Sequence, residues 1–497
     1  MSDLKSKAKA GALWVSVDVA TSGLVQIVRL AILARFFVSP EEFGLFALAT
    51  SAVVLISSIS TLGTVPYVLF RTDASRGVVS GIFWLNVAAG LALCILTAAC
   101  SGPLASALGN AQLSLPVRAL ALVLLVDAVG NPIMAILVRD FQFRTHALIE
   151  ISATVAAAVV TLAIAAGGAG LWALIFGVLG QRAVRTALAL WWGLRHQVIA
   201  MAPPNAELER FARFSRLAIC ERLVGTTNER IPYVCLGWFQ DAAQIGLFAV
   251  ANNLIGAPLQ YFMNIAMRTI TPVLARLQTE QGRLSSAYFL ALELTMSIIA
   301  PAFLGLMVTA PLIVPMILGE SWAPAVPTLQ FTCISLTFHA IFYFSGALTI
   351  GAGMPNASLA LTAIQAPGML LASFLGAKLG GAEGVAMGLA TVSVATVIPY
   401  YIFVTRRVLG PCLPSFLASF AIPISLALIM ALSVGLIAKV LAGANPFLAL
   451  AVEIASGVLI YASLVLVFRP SLAREVALLL PIDRVRGILA SNPQPSH

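Results

Sequence analysis

Six arginines interrupt apolar runs long enough to lie in hydrocarbon: Arg29, Arg182, Arg185, Arg222, Arg230 and Arg268. A charge at mid-membrane costs roughly 2.5–3.5 kcal/mol even on the lenient insertion scale, so a chain that keeps several lines a wet cavity with them. Five acids, Asp18, Asp127, Glu221, Glu229 and Glu293, fall in comparable places. Asp18, Ser22, Gln26 and Arg29 share one helical stripe, because their separations are three and four residues. A second such group is Arg222, Thr226, Glu229 and Arg230, with Glu221, Gly225 and Asn228 beside it. Of the 29 basic residues five are Lys, which leaves 24 Arg. Guanidinium forks onto phosphate oxygens and stays protonated at any biological pH. The pattern points to transport of a polar, anionic cargo.

The candidate cargo-binding residues are therefore Arg29, Arg230, Gln26, Asn228, Arg182, Arg185 and Arg268. Asp18, Glu229 and Glu293 are candidates for proton or sodium coupling, since a desolvated carboxylate can hold a proton; pairing with a nearby Arg is the alternative for each. Arg35, Arg118 and Arg268 sit near helix ends, where snorkelling is the simpler account. His339 reads as an interior histidine, and Asn252, Asn253 and Asn264 as helix-to-helix hydrogen bonds. Trp172, Trp191, Trp192 and Trp322 stand near span ends, as in an interfacial aromatic belt.

These residues must be positioned by membrane helices. The chain has 497 residues, 60% hydrophobic and 10% charged, whereas a soluble protein carries about 25% charge. Apolar runs near 20 residues recur along the chain, each able to cross roughly 30 Å of hydrocarbon. Lipid offers the backbone no hydrogen-bond partners, and continuous runs without strict alternation favour helices over a barrel. The fold class is an all-α polytopic membrane protein of about fourteen spans. Twelve fall near 11–37, 43–64, 78–100, 113–137, 147–167, 170–193, 215–238, 245–269, 286–318, 326–350, 357–377 and 382–404. Two more fall near 415–439 and 446–468. Pro301, Pro311 and Pro315 in the ninth predict a kink or break.

With the N-terminus inside, nineteen Lys and Arg fall on inner segments against four at most outside. This positive-inside bias predicts an even span count and both termini cytoplasmic. The same flanking placement explains the net charge of +9 without nucleic acid as a partner. The six cysteines are scattered, with no C-x-x-C, so metal and disulfide chemistry are not expected. No P-loop, nucleotide loop or H-E-x-x-H is present. The expectation is no enzyme and no cofactor, with energy drawn from an ion gradient, the membrane potential or substrate consumption.

One internal repeat is visible. Gly44-Leu-Phe-Ala-Leu-Ala49 recurs as Gly246-Leu-Phe-Ala-Val-Ala251, an offset of 202 residues. Six spans separate the copies, which predicts parallel halves about an axis along the membrane normal. The expected organisation is a first lobe at 1–200 and a second at 201–410. Two further helices follow at 411–470 and a cytoplasmic tail at 471–497. Residues 206–216, with Leu208, Phe211 and Phe214 three apart among charges, predict a short helix on the inner membrane surface before the second lobe.

Four stretches carry a family resemblance: Leu33-Ala-Arg-Phe-Phe-Val-Ser-Pro-Glu-Glu-Phe-Gly-Leu45, Val138-Arg-Asp-Phe-Gln-Phe-Arg144 followed by Gly170-Leu-Trp-Ala-Leu174, Thr271-Pro-Val-Leu-Ala-Arg-Leu-Gln278, and Leu318-Gly-Glu-Ser-Trp-Ala-Pro-Ala-Val-Pro-Thr-Leu-Gln330. In order and spacing the chain resembles the polysaccharide-exporter branch of the multidrug/oligosaccharidyl-lipid/polysaccharide exporter superfamily, over about residues 10–410. The resemblance implies two six-helix lobes around a cationic cavity. It also implies alternating access that moves an undecaprenyl-diphosphate-linked oligosaccharide from the inner to the outer leaflet of the bacterial inner membrane. Exopolysaccharide or lipopolysaccharide synthesis is the implied pathway, with membrane lipids, a polymerase and export machinery as implied partners. It carries over a first-helix arginine, Arg29, and a seventh-helix arginine, Arg230. Under the repeat Arg230 aligns with Val28 and not Arg29. The alternatives are a cation-coupled multidrug exporter on the same fold, which would favour acids and aromatics over arginine, and a membrane-embedded glycosyltransferase or polymerase, which would need a larger extramembrane loop.

Overall fold

The structure is a computed structural model that describes residues 2–60, 64, 67, 76–196, 207–277, 280–351, 355–441 and 443–470. Those residues form an all-α multi-pass membrane protein with no strand among them. The principal helices are α1 (Ser2–Phe36), α2 (Pro40–Ser60), α3 (Arg76–Ala99), α4 (Leu122–Arg139), α5 (Phe143–Ala166) and α6 (Gly170–Arg195). They continue as α7 (Glu207–Phe239), α8 (Ala242–Arg276), α9 (Gln281–Leu318), α10 (Val326–Gly351), α11 (Pro355–Ala395), α12 (Leu413–Val440) and α13 (Pro446–Phe468).

Twelve helices among the described residues are long and apolar enough to cross a membrane. The difference from fourteen has two physical causes. Helix α7 carries Arg222, Glu229 and Arg230 and is not among the twelve, because its charges dilute the apolar run. The expected spans near 357–377 and 382–404 lie on either side of Gly381, whose φ of 57° breaks α11, and they count once among the twelve because they follow one another in a single run, Gln365–Leu409. The expected surface helix at 206–216 is not separate: from Glu207 the chain enters α7 without a break. Helix α9 is likewise continuous through Pro301, Pro311 and Pro315. Pro311 cannot donate to the carbonyl four residues earlier. Gln330 Nε2 on α10 donates to that carbonyl, Met307 O, at 3.0 Å.

The chain forms two compact units. One comprises Met1–Tyr261, Ile317–Thr328 and Thr362–Val392; the other comprises Phe262–Met316, Leu329–Leu361 and Ser393–His497. In the first, α1 packs on α5, α5 on α6, α3 and α6 on α4, and α7 on α2. Small residues permit the closest approaches, as expected where lipid removes any hydrophobic drive between helices. In the second, α12 packs on α13. Ala300 and Leu304 of α9 form a buried apolar contact with Ala427, Met430 and Val434 of α12, and Ile460 and Tyr461 of α13 pack against it.

Within the first unit the repeat has a structural meaning. Helices α2 and α8 cross at their N-terminal ends with Gly44 against Gly246. A Cβ on Gly44 would lie 1.7 Å from Ala242 O, and one on Gly246 would lie 1.8 Å from Pro40 O. Each glycine faces the residue equivalent to the one four positions before itself, so the contact is reciprocal under the 202-residue offset. Ser39 and Glu42 cap α2 reciprocally, Glu42 N donating to Ser39 Oγ at 3.3 Å and Ser39 N to Glu42 Oε2 at 3.0 Å. In the equivalent turn Gln244 N donates to Asp241 Oδ1 at 2.9 Å. The two N3 side chains then act alike. Glu42 sits against Gly170 at the start of α6, and Gln244 Oε1 accepts from Ala382 N, just after the Gly381 break, at 3.0 Å.

A second pair of glycine contacts joins the equivalent ends of α7 and α1. Gly109, with φ of 79°, packs against Gly237 O near the end of α7, and Gly319, with φ of 100°, packs against Arg35 near the end of α1. Trp238 Nε1 donates to Ala107 O at 2.8 Å, and Trp322 Nε1 donates to Ala34 O at 2.9 Å. Trp322 is therefore not a belt residue. It is 0% exposed and stands edge-on to Phe43 at 5.9 Å between ring centroids. Trp192 is also buried, whereas Trp191 is exposed beneath Arg195.

Candidate functional site

Helix α1 turns its polar stripe toward protein. Val17, Leu24, Ile27 and Val28 are exposed on the opposite side. Asp18, Gln26 and Arg29 are half-buried and Ser22 is buried. Ser22 Oγ donates to Asp18 Oδ1 at 3.1 Å, one turn along the stripe. The physical reason is the cost of presenting carboxylate and guanidinium to acyl chains, which fixes the rotation of the helix.

Helix α7 is oriented by polar contacts on either side of Arg230. Ser58 Oγ of α2 donates to Thr226 Oγ1 at 2.9 Å. Asn252 Nδ2 of α8 donates to Tyr233 Oη at 3.4 Å, which is the helix-to-helix role expected of that asparagine. Arg230 lies between these two contacts along the helix. It is half-buried, with its guanidinium 5.8 Å from the Tyr233 ring. Its Nε is buried and has no acceptor. A buried donor without a partner carries the full desolvation cost of that group, and a guanidinium over an aromatic face is attracted by the ring. Asn228 is half-buried, while Arg222 and Glu229 are exposed.

A third cluster joins α4, α5 and α6. Arg185 Nε donates to Glu150 Oε1 at 2.7 Å and Arg185 Nη1 to Asn131 Oδ1 at 2.8 Å. Asp127 lies 3.9 Å from Arg185 Nη1 and 3.5 Å from Arg182 Nη1. Two arginines thus share two carboxylates, and the cluster is neutral. The arginines are not equivalent within it. Arg185 is 12% exposed and held on two sides, whereas Arg182 is 39% exposed and its buried Nε has no acceptor. Sequence reading placed both in the cavity but did not assign Glu150 as the partner of Arg185. The signal was available: charged residues in apolar spans are expected to pair.

Glu293, expected as a coupling site, is ion-paired to Arg469 at the end of α13. The side chains of Arg268 and Glu221 lie outside the described residues, as do residues 471–497 and Cys220's side chain. The five described cysteines are free. His339 makes edge-on contacts with Phe342 and Tyr343, at 6.0 and 5.6 Å between ring centroids. Glu453 was missed: a lone acid within α13, it is 2% exposed, and its Oε2 has no partner. The rule that singled out the other acids applies to it equally.

Similarity to known proteins agrees with this architecture. A family model described as polysaccharide biosynthesis protein matches residues 32–327. The lipopolysaccharide biosynthesis protein WzxC of Escherichia coli (strain K12) is 25% identical over 449 residues, covering 88% of this chain and 89% of that protein. The succinoglycan biosynthesis transport protein ExoT of Rhizobium meliloti (strain 1021) is 28% identical over 477 residues, covering 94% and 93%. Among solved structures, the lipid II flippase MurJ in an inward closed conformation superposes with a TM-score of 0.75 at 15% identity, covering 93% of this chain and all of that one. An inward-facing MATE-family transporter of the MOP superfamily gives 0.65 at 16% identity, covering 78% and 94%. The structural likenesses establish the fold.

Proposed function

The chain belongs to the polysaccharide biosynthesis protein family, and from that premise we propose that it is a flippase for undecaprenyl-diphosphate-linked oligosaccharide repeat units. It carries them from the inner to the outer leaflet of a bacterial inner membrane by alternating access, with both termini cytoplasmic. It serves exopolysaccharide or lipopolysaccharide synthesis and works beside the polymerase and export machinery of that pathway.

The observation that carries this reading is the orphaned donor of Arg230. A buried guanidinium nitrogen without an acceptor, between two helix-to-helix hydrogen bonds, calls for an anionic group to arrive. A diphosphate supplies paired oxygens for it, and the sugar that follows needs a hydrated path. Arg29 on the inward stripe of α1 and the half-exposed Arg182 are further contacts for the same headgroup. Gln26 and Asn228 offer hydrogen bonds to sugar hydroxyls. Arg185 has a different role: its donors are engaged by Glu150 and Asn131, so it positions Arg182 through Asp127. Asp18 and Glu229 remain the candidates for ion coupling. The pairing of Glu293 with Arg469 favours a structural role for that carboxylate.

The test is complementation of a deletion strain with Arg29→Gln or Arg230→Gln, each at wild-type protein level. Each variant should fail to move the lipid-linked sugar, which then accumulates on the cytoplasmic leaflet. Full transport by both variants would remove the reading. A deletion strain whose only change is sensitivity to cationic drugs would instead favour the multidrug alternative.

A further inference from the structure

The second unit holds a cavity of about 490 Å³ between three helices. Its walls include Gly305 and Thr309 of α9, Met430 and Val434 of α12, and Glu453 and Gly457 of α13. The walls follow from spacing. On α9 the residues Glu293, Ser297, Pro301, Gly305 and Thr309 recur every four positions and so share one face. Helix α13 runs along that face, tied to α9 at its C-terminal end by the Glu293–Arg469 ion pair. Above the tie, Gly305 and Gly457 supply no side chain to fill the space, and the gap remains open.

Glu453 is the one charged residue of the lining. It is 2% exposed, and its buried Oε2 has no hydrogen-bond partner. It lies seven residues inside the start of α13, about 10 Å along the helix. A carboxylate desolvated this far is strongly disfavoured unless it is compensated. No Lys, Arg or His lines the cavity. A bare divalent cation would meet one carboxylate and the hydroxyls of Thr309 and Tyr461, far short of the six oxygen ligands such an ion takes. The remaining walls are apolar, and the volume lies in the range of ligand pockets that bury most of a small amphiphile.

We propose that this cavity is a binding site for a lipophilic ammonium: an amphiphile whose apolar body fills the space beside Gly305 and Gly457 and whose protonated amine pairs with Glu453. The occupant brings the missing counter-charge together with the volume the glycines leave empty. The site is separate from the arginine clusters and does not depend on the cargo assigned to them.

The experiment uses the full chain, purified in maltoside micelles, with dodecylamine at neutral pH as the probe and 1-dodecanol as its uncharged counterpart. Saturable binding is read by native mass spectrometry and by the shift in thermal unfolding. Dodecylamine should bind one per chain and raise the unfolding temperature, and dodecanol should do neither. Glu453→Gln should weaken dodecylamine binding at least tenfold. Gly457→Leu keeps the carboxylate but fills the gap; a Cβ there meets Val434 and Met430 at 3.5 and 3.9 Å, which are ordinary contacts. It should abolish binding, and it serves as the test should Glu453→Gln fail to fold. Equal binding of amine and alcohol, or undiminished amine binding in either variant, would overturn the proposal.

Discussion

Gly44→Ala is the perturbation for which the structure gives the clearest number. The new methyl would stand 1.7 Å from Ala242 O and 2.7 Å from Ala242 C. Ordinary contact needs about 3.4 Å or more, so α2 and α8 must separate by between one and two ångströms at their crossing. Neither obstacle is a flexible side-chain end; both are backbone, and relief by rotamer change is closed off. Overpacking of this kind costs roughly 1–3 kcal/mol, occasionally more. If the crossing belongs to one access state and opens in the other, the same energy shifts the two-state equilibrium about 5- to 150-fold. Ser51 is the reporter. It is buried on α2, two turns beyond Gly44, and its hydroxyl bonds only its own helix, to Ala47 O at 2.7 Å, so Ser51→Cys is a mild change. In a background without other reactive thiols, an impermeant maleimide added from outside should label Cys at 51 faster when Gly44→Ala is present. Gly246→Ala should act alike. The double variant should cost little more than either single one, because both methyls relieve their clash by the same separation. Gly102→Ala, where a Cβ meets nothing within 4 Å, is the control. Unfolding at the wild-type temperature would refute the packing argument. Lowered stability with unchanged labelling would show the crossing to be static and remove it from the transport cycle.

Two further outcomes follow from the polar contacts. Arg185→Ala leaves Glu150 without its counter-charge and Asp127 with Arg182 alone, and should destabilise the protein toward the lower end of roughly 3–5 kcal/mol, read by thermal unfolding; Arg185→Ala/Glu150→Gln should recover part of the loss, and no recovery would remove the pairing from the account. Gln330→Ala removes the donor that satisfies Met307 O beside Pro311 and should cost about 1–3 kcal/mol, whereas Gln330→Ala combined with Pro311→Ala restores a helical donor and should cost less.

Much of the fold was legible because lipid leaves a chain few options. Long apolar runs became helices at the expected places, and the glycines of one six-residue repeat turned out to mark a reciprocal contact. What misled was local: residues 207–216 extend α7 instead of lying apart. Trp322 read as a belt residue because its neighbours in sequence are span ends, yet its indole is buried against α1 and α2.

The candidate site was legible by residue type and not by partnership. The spacing of Asp18, Ser22, Gln26 and Arg29 fixed which side of α1 avoids lipid, since charge in hydrocarbon is costly whatever the neighbours. Helical periodicity is a property of the chain itself, so sequence sufficed there. Whether an arginine is available or engaged depends on which helices stand beside it, and no local pattern encodes that. Tertiary packing alone gave Arg185 to Glu150 and Asn131, Glu293 to Arg469, and left the Nε of Arg230 and the Oε2 of Glu453 without partners.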